Sequence, residues 1–474
     1  MLDLLLEAWT SFLIEFARLR GRGGKNGTWR PGRKLKLLIA AYNGARNTGE
    51  DVRVEEIVRQ LRWILGEQNV DLSVFTFDED LSRGYFGHAK QIYFPNIFPP
   101  FLYREVPRHD ATIACLGATF SQTFAKATAA YMIGALGIAF SQRRISVAYG
   151  VEAGHLDRDI AAMCSRYCGQ SLLVMRNEES RTVLKRLGLS SELGADTAWT
   201  FEPHPPEYGR RVLRQAGWDE KKRVLVICPN NPFWWPVKAS VPKYLARTMT
   251  GAYRDSQYRS VYFHKTGARA KAGLNRYITS IANAVKAYGS RHSVFPIFVG
   301  MEQLDRHACD AGAQILGGVP VLTSAEHDMY QLVSIVRCAN LLVSSRYHGV
   351  VTSMPALVPS AGVTIDQRIR NLMRERGHEH LVVDANDEEL EAKLLGVLER
   401  LREESEGTAE GIGRAVVKNL RMMARMGRLF EECVREFYPH FPVPVKGSNW
   451  QEYLPPLSAN LLRLVEKHEV SASM

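Results

Sequence analysis

The segment LLVSSRYHGVVTSMPAL, residues 341–357, decides how this chain folds. An apolar run stops abruptly at Arg346 and His348, and a stretch with helical periodicity follows from near Gly349. A strand, a short turn and a helix in this order form the repeating unit of a doubly wound parallel sheet. Because ligands bind at the carboxyl edge of such sheets, we expect Arg346 and His348 at a binding edge.

The residues of this turn predict an anion site with a proton-transfer group beside it. The planar guanidinium of Arg346 suits a carboxylate or a phosphate, and the imidazole of His348 exchanges protons near neutral pH. The start of the following helix, with Tyr347 and Gly349, adds a partial positive charge that favours an anion. The alternative is a solvated turn without a ligand.

The alternation of strands and helices runs through most of the chain. It begins at residue 34, stops at the proline-rich, charged segment 201–223, and then resumes. At 474 residues the chain is too long for a single core. We therefore predict an α/β fold with two Rossmann-like domains facing a cleft, over residues 34–205 and 222–405. The run SVYFHK, 260–265, is one predicted strand of the second domain.

The two ends of the chain are predicted to be helical appendages. Residues 1–33 combine an amphipathic helix, in which Leu5, Trp9, Phe12, Phe16 and Leu19 recur at helical spacing, with a basic linker. Acidic residues interrupt the helix, which is too short and too charged to span a bilayer and does not resemble a signal peptide. It docks either on a protein surface or on an anionic membrane face. The tail, 411–474, is predicted to be helical and able to pack back across the cleft.

Composition and missing motifs exclude several classes of function. The net charge is +11, but outside the N-terminal linker no basic run is interleaved with aromatic residues, so we predict no nucleic-acid partner. The seven cysteines are scattered, which indicates a reducing compartment such as the cytoplasm. The sequence lacks G-x-G-x-x-G, P-loop, H-E-x-x-H and G-x-S-x-G motifs, so neither a dinucleotide cofactor nor a metal is predicted.

Further candidate side chains follow other predicted strands. In AYNGARNTGED, 41–51, Asn47 and Gly49 belong to an anion- or hydroxyl-binding turn, unless Asp51 merely caps a helix there. Four more candidates stand at or just past predicted strand ends: His155, Arg176, His264 and Arg368. With Arg346, Tyr347, His348 and Gly349, we expect these side chains to form a binding or catalytic site.

Several of these segments together resemble one protein family. The stretch LLVSSRYHGVVTSMPALVPSAGVTIDQRIRNLM, 341–373, resembles the C-terminal signature of the polysaccharide pyruvyl transferases. NGARNTGED resembles the family's Asn-x-Gly-acidic turn, with Glu50 and Asp51 as alternative matches to the acid. SLLVMRNEESRTVLKRLG, 171–188, resembles its Arg-Asn-Glu-x-Ser helix start, and GADTAWTF, 194–201, the Asp-containing segment that follows.

The resemblance implies a GT-B-like fold and transfer of pyruvate from phosphoenolpyruvate onto paired sugar hydroxyls as a ketal. Arg346 and Arg176 would then bind the donor, and no metal is needed in principle, because arginines can carry the negative charge. His348, and next His155, would act as acid and base in ketal formation, and the other candidates would bind substrate. The acceptor would be a glycan or a lipid-linked saccharide of a surface polysaccharide. Two alternatives remain: a GT-B glycosyltransferase, with Glu326 or Asp328 nearest to a nucleotide-sugar donor, and a non-catalytic glycan-binding component. The oligomeric state is left open.

Overall fold

The first sheet of the chain is parallel and doubly wound. The computed structural model describes residues 2–21, 29–259 and 261–470. The seven strands of this sheet are β1 (Leu35–Ala40), β2 (Val70–Thr76), β3 (Lys90–Tyr93), β4 (Ala111–Ala114), β5 (Ile145–Val151), β6 (Leu172–Met175) and β7 (Glu192–Leu193). They pair in the order β3-β2-β1-β4-β5-β6-β7. The helices of this half are α1 (Leu2–Gly21), α2 (Thr48–Leu65), α3 (Pro99–Glu105), α4 (Lys126–Ser141), α5 (Arg158–Tyr167) and α6 (Glu178–Arg186).

The second half repeats the same architecture. Its strands are β8 (Arg223–Cys228), β9 (Lys238–Ala239), β10 (Gln257–Arg259), β11 (Tyr262–Phe263), β12 (Val294–Gly300), β13 (Val321–Thr323), β14 (Leu341–Ser344), β15 (Ser360–Thr364) and β16 (Val382–Asp384). Its helices are α7 (Pro206–Gln215), α8 (Val241–Thr250), α9 (Ala268–Arg291), α10 (Arg306–Ile315), α11 (Met329–Arg337), α12 (Tyr347–Ser353), α13 (Gln367–Glu375) and α14 (Leu390–Glu403). Six strands form a parallel sheet, β13-β12-β8-β14-β15-β16, and three form a small antiparallel sheet, β10-β11-β9.

The carboxyl edges of the two large sheets face each other. In each sheet the strand order reverses beside its first strand, between β1 and β4 and between β8 and β14, and this reversal opens a crevice. The backbone N–H of Thr48, which follows β1, donates to the carbonyl of Met301, which follows β12, at 2.9 Å. The two binding edges therefore meet, as the predicted cleft requires.

Helix α1 is docked on the first domain. Its buried face, with Leu6, Leu13 and Ile14, packs against α4 and α3. The predicted amphipathic helix is therefore present, but most of the apolar stripe that predicts it points outward: Leu5 is 59% exposed and Phe12 64%. Part of the predicted basic linker, 22–28, lies outside the described residues.

The C-terminal tail consists of two helices that hold the two domains together. Helix α15 (Ser405–Phe437) packs along β5 and α2 of the first domain, and α16 (Ala459–Val470) packs on α15. The side chain of Gln60 in α2 donates to the carbonyl of Met423 at 3.0 Å. The tail begins near 405 rather than 411. None of the helices in the described ranges is long and apolar enough to cross a membrane.

Two details of the predicted layout are wrong. The segment between the predicted domains contains α7, which packs on α11 of the second domain, where Gly209 N–H donates to Ser334 Oγ at 3.2 Å. SVYFHK supplies only β11, in the small antiparallel sheet, and not a strand of the large sheet. The large sheet instead contains β13, a strand that the sequence analysis does not predict. Strands of two or three residues are too short for periodicity to identify.

Candidate active site

A cavity opens where the two carboxyl edges meet, and both domains line it. The first domain contributes Asn47 and Glu50, from the start of α2. The second domain contributes Glu302, Arg346 and Arg368, from the ends of three different strands or the helices after them. Aromatic side chains form part of the wall: Tyr42, Phe124, Trp235 and Tyr258.

Arg346 is held rigidly by two acidic side chains. Its Nε donates to Asp305 Oδ2 at 2.8 Å and its Nη2 to Glu302 Oε2 at 2.8 Å, and it makes a second contact with Asp305. Burial raises the pKa of Glu302 and of Asp305, and the attraction of Arg346 offsets only part of this increase. The orientation of the guanidinium is therefore fixed, but much of its charge is already compensated.

Asp196 is the centre of a buried ionic network under the cavity. Its Oδ2 lies 3.1 Å from Arg53 Nε, 2.9 Å from Arg176 Nη1 and 3.4 Å from His348 Nε2. Burial by itself would raise the pKa of Asp196, but Arg53, His348 and Arg176 outweigh it and hold that pKa below its usual value. The Asp196 side chain has no exposed area, and His348 is the member of this network that the second domain contributes.

Arg176 is enclosed by two acidic side chains and an aromatic ring. Besides Asp196 it pairs with Glu152, and the ring of Tyr347 covers it, with the guanidinium carbon 4.2 Å from the ring centroid. Asn177 fixes the start of α6 by accepting from Ser180 N–H at 2.8 Å and donates to Glu152 at 3.2 Å. The structure thus brings Arg176 and Tyr347 together beneath the cavity and not into its lining.

His348 is buried and lies against the first domain. Burial lowers its pKa, and Asp196 offsets only part of this effect, so the ring is neutral at neutral pH. A Cβ atom added to Gly49 would lie 2.1 Å from His348 Nδ1. Gly49 is therefore the point where the backbone of α2 meets the imidazole, and a side chain there would push the two apart.

The turn after β1 brings Glu50 into the cavity. Asn47 caps α2, accepting from the backbone N–H of Glu50 at 3.4 Å, so Asp51 is not the cap. Glu50 accepts from Arg53 at 3.1 Å and from the backbone N–H of Gly117 at 3.3 Å, and it lines the cavity. Asp51 is instead buried, which raises its pKa well above the usual value. Of the two alternative acids, Glu50 is the one that faces the cavity.

A wider groove continues outward from the cavity between the domains. Arg368 lines both, with its guanidinium carbon 4.6 Å from the centroid of Phe124 and its Nη2 donating to Asp366 at 2.8 Å. His155 lies exposed along this groove, after β5 as predicted. The groove and the cavity therefore share one wall, which Phe124 and Arg368 form.

His264 and Gly349 were predicted to bind substrate, but the structure places both in packed surroundings. His264 is enclosed by Trp234, Trp235 and Tyr258, and burial lowers its pKa to about 4, so it cannot offer a cation to an anionic substrate at neutral pH. The helix after β14 begins at Tyr347, and the N–H of Gly349 donates to the carbonyl of Arg346 at 3.0 Å. A Cβ on Gly349 would lie 2.6 Å from Ser344 Oγ, so this glycine permits close packing.

Comparison with known proteins agrees with this geometry. A sequence model of the family described as polysaccharide pyruvyl transferase matches residues 47–367. The chain belongs to the polysaccharide pyruvyl transferase family. The match spans both cavity-lining edges, from Asn47 to the segment after β15, and confirms the family predicted from the Arg346–His348 segment.

Solved structures show the fold that the family member adopts. A protein from Listeria monocytogenes assigned as a UDP-N-acetylglucosamine 2-epimerase superposes with a TM-score of 0.50 at 12% identity, over 84% of this chain and 97% of that chain. A UDP-glucosyltransferase from Polygonum tinctorium superposes with a TM-score of 0.50 at 9% identity, over 86% and 99%. Likeness at such identities shows the fold alone, and it confirms the predicted GT-B-like architecture. No curated protein matches the chain.

The pyruvyl transferase cleft also contains residues that the sequence reasoning missed. Glu302 and Asp305 follow the apolar strand β12, so the same strand-end argument that selects Arg346 could have found them. Asp196 belongs to the Asp-containing segment of the family resemblance, but it follows no strand that the sequence predicts. Arg53 carries no such signal, because it lies within a helix, and only its contact with Asp196 shows its importance.

The contact between Gly49 and His348 leads to a prediction. We expect Gly49→Ala to lower the free energy of unfolding by about 1–3 kcal/mol, because the added methyl overpacks the buried interface between the domains. Gly396→Ala is the matched control, since this helical glycine in α14 has nothing within 4 Å of the added Cβ. Denaturant unfolding of both variants checks the prediction, and equal stability of the two would contradict it.

Proposed function

We propose that this family member transfers pyruvate from phosphoenolpyruvate onto two hydroxyls of a sugar, which forms a ketal and releases phosphate. The observation that carries the proposal is that Arg346 and Glu50 line one cavity from opposite domains. The donor carries a phosphate and a carboxylate, so it needs converging cations, and Arg346 and Arg368 both line the cavity. Arg176 lies beneath them, and we assign it to holding Tyr347 in place.

The reaction needs a group that moves protons between substrate atoms. The methylene carbon of the donor gains a proton and becomes a methyl group. One sugar oxygen bonds to the neighbouring carbon, whose bond to the phosphate oxygen breaks, and the second sugar oxygen completes the ketal. Of the two hydroxyl protons, one ends on the methyl carbon and the other on phosphate. Glu50, at the cavity wall, is positioned to accept a hydroxyl proton and pass it on.

The two histidines predicted for catalysis receive different roles in this proposal. His348 is buried against Asp196 and Gly49, and we propose that it positions the start of α2, and with it Glu50. His155 is exposed along the outer groove, where we propose that it binds the acceptor. Proton transfer is thereby assigned to the carboxylate at the cavity and not to an imidazole.

The acceptor in this proposal is a glycan or a lipid-linked saccharide lying in the groove outside the cavity. Such precursors are assembled at the cytoplasmic face of a membrane, where we place the enzyme, with peripheral contact through residues 1–36. A nucleotide-sugar donor is less well supported. Glu326 accepts from Thr323 Oγ1 at 2.6 Å and Asp328 caps α11, and neither is among the described residues that line the cavity.

The donor is tested by thermal unfolding of the chain with phosphoenolpyruvate, UDP, GDP or CMP. A ligand at about 100 times its dissociation constant stabilises the folded state by roughly 2.7 kcal/mol, which raises the midpoint measurably. We expect phosphoenolpyruvate alone to raise it. A response to a nucleotide and not to phosphoenolpyruvate would instead favour the glycosyltransferase alternative.

The role of Glu50 is tested by Glu50→Gln. We expect phosphate release from phosphoenolpyruvate and a saccharide acceptor to slow about 10²–10⁴-fold, while donor binding persists, because the amide cannot carry the proton. Glu432→Gln is the control, since Glu432 also pairs with an arginine of its own helix, Arg428, at 3.5 Å, but both side chains are exposed. Turnover by Glu50→Gln at the rate of the control would refute the assignment.

A further inference from the structure

Helix α8 presents an apolar stripe to solvent. Val241, Leu245 and Met249 follow one another at a spacing of four residues and are 51%, 52% and 83% exposed. Every residue of α8 is exposed or half-buried, so the helix lies on top of the second domain and not within it. The pyruvyl transfer proposed above does not use this stripe.

The surroundings of α8 are strongly basic. Residues 238–276 contain nine lysines and arginines and one acidic residue, Asp255. Several of the basic side chains are exposed: Lys238, Arg254, Lys265, Arg269 and Lys271. An apolar helical stripe among cations is the pattern of a surface that lies on anionic lipid head groups.

Helix α1 has a second stripe of the same kind. On the side opposite its docked face, Leu5, Trp9, Phe12 and Leu19 are 59%, 43%, 64% and 65% exposed. Arg20 covers the ring of the adjacent Phe16, with its guanidinium carbon 4.8 Å from the ring centroid. The docking of α1 on its own domain therefore leaves a full-length apolar stripe uncovered.

The two helices start from neighbouring points of the fold. Tyr262 Oη donates to Asp3 Oδ1, in the first turn of α1, at 3.2 Å. In the small sheet Tyr262 pairs with Ala239, and the next residue, Ser240, caps α8 by accepting from the backbone N–H of Lys243 at 3.4 Å. A single side-chain hydrogen bond thus joins the beginnings of both helices.

An apolar pocket lies between this junction and the catalytic cavity. Tyr262 lines it at the end nearest α1, and Phe94, Phe98 and Tyr131 form its aromatic wall. Tyr42, Thr128 and Tyr258 line both this pocket and the cavity. The stacked rings of Tyr42 and Tyr258 therefore belong to the wall between the two, on the side on which α1 and α8 start.

We infer that α1 and α8 form a face that docks on an anionic bilayer, with the apolar pocket opening toward the lipid. Docking stands on the surface alone, whereas delivery of a lipid-borne acceptor through the pocket rests on the proposed function. A second copy of the chain is a poorer occupant, because two surfaces with this excess of positive charge repel each other.

The inference is tested by sedimenting the full chain with vesicles of phosphatidylcholine, alone or mixed with phosphatidylglycerol. The variants are Leu245→Glu with Met249→Glu on α8, and Phe12→Glu on α1. Val445→Glu is the control, because Val445 is 99% exposed and lies outside both helices. Since the substituted side chains are exposed, the thermal midpoints of all variants should match that of the unaltered chain.

We expect the chain to bind mixed vesicles and not neutral ones. Substitutions on either helix should weaken this binding about tenfold or more, because each removes apolar area from the lipid, while the control leaves it intact. No binding to mixed vesicles, equal binding to both kinds, or binding that the α8 variant retains would overturn the inference. Vesicle binding without a response to phosphoenolpyruvate would overturn the proposed function and leave the docking face standing.

Discussion

The Asp196→Asn variant should be less stable than the unaltered chain by about 3–5 kcal/mol at neutral pH. Asp196 is fully buried and provides the shared counter-charge for Arg53 and Arg176, whose side chains are 0% and 2% exposed. Asparagine keeps the shape but removes the charge, so two guanidinium groups remain buried with only Glu50 and Glu152 beside them. Partial pairing of this kind is what makes a broken buried network costly.

Denaturant unfolding of Asp196→Asn beside Asp80→Asn measures this effect. Asp80 also pairs with an arginine, Arg83, but both side chains are about four-fifths exposed, at 79% and 80%. Exposed pairs contribute little because water and salt screen them. Asp80→Asn should therefore unfold at the same denaturant concentration as the unaltered chain. Equal stability of the two variants would mean that the buried network is not required for folding.

The sequence reveals the edges of the sheets well and the network beneath them poorly. The unit around Arg346 is correctly predicted because an apolar strand, a turn and a helix are all local features. Arg53 lies within α2, where charged residues at helical spacing normally indicate a solvated face. In the structure 15 of the 18 residues of this helix are buried, because α12 and the tail helix α15 cover it. Contacts with segments so distant in sequence leave no local pattern.

The same reasoning explains the positions of His264 and of the outward stripe of α1, which the sequence alone did not predict. His264 follows a strand of two residues in a small antiparallel sheet, so its strand-end position does not bring it to the binding edge. In α1 two apolar stripes lie on opposite sides, and the sequence cannot tell which of them docks on the domain. That choice depends on the shape of α4 and α3, which only the folded chain provides.

The Arg346→Ala variant should be less stable than the unaltered chain, by an amount that depends on pH. Arg346 is the cation that compensates Glu302 and Asp305, and its removal leaves both carboxylates buried without it. At about pH 8 we expect a loss of about 3–5 kcal/mol, because a buried carboxylate that loses its cation is costly. At about pH 5 we expect a smaller loss, since carboxyl groups that take up protons no longer need a counter-charge.

The sign follows from the raised pKa values of the two acids. Burial raises the pKa of Glu302 and Asp305 above the values of an unfolded chain. At a pH between the unfolded-state and the folded-state pKa of each acid, the folded state therefore binds more protons than the unfolded state. Stability therefore falls as pH rises through that interval. Without Arg346 the folded-state pKa values rise further, so the difference in stability between variant and unaltered chain should widen with increasing pH.

Unfolding measured across pH for Arg346→Ala, beside Arg306→Ala, tests this. Arg306 also pairs with acidic residues, Asp310 and Glu326, but on the surface, so its removal should matter little at any pH. A loss for Arg346→Ala that does not change with pH would contradict the assigned role of the two acids.

A second substitution separates the two roles of Arg346. Adding Glu302→Gln to Arg346→Ala removes one of the uncompensated carboxylates, so much of the lost stability should return at about pH 8. Binding of phosphoenolpyruvate should not return, because the cavity still lacks the guanidinium. If the stabilised double variant responded to phosphoenolpyruvate as the unaltered chain does, Arg346 would be a structural residue. The donor would then be bound by other cations of the cavity, of which Arg368 is the first candidate.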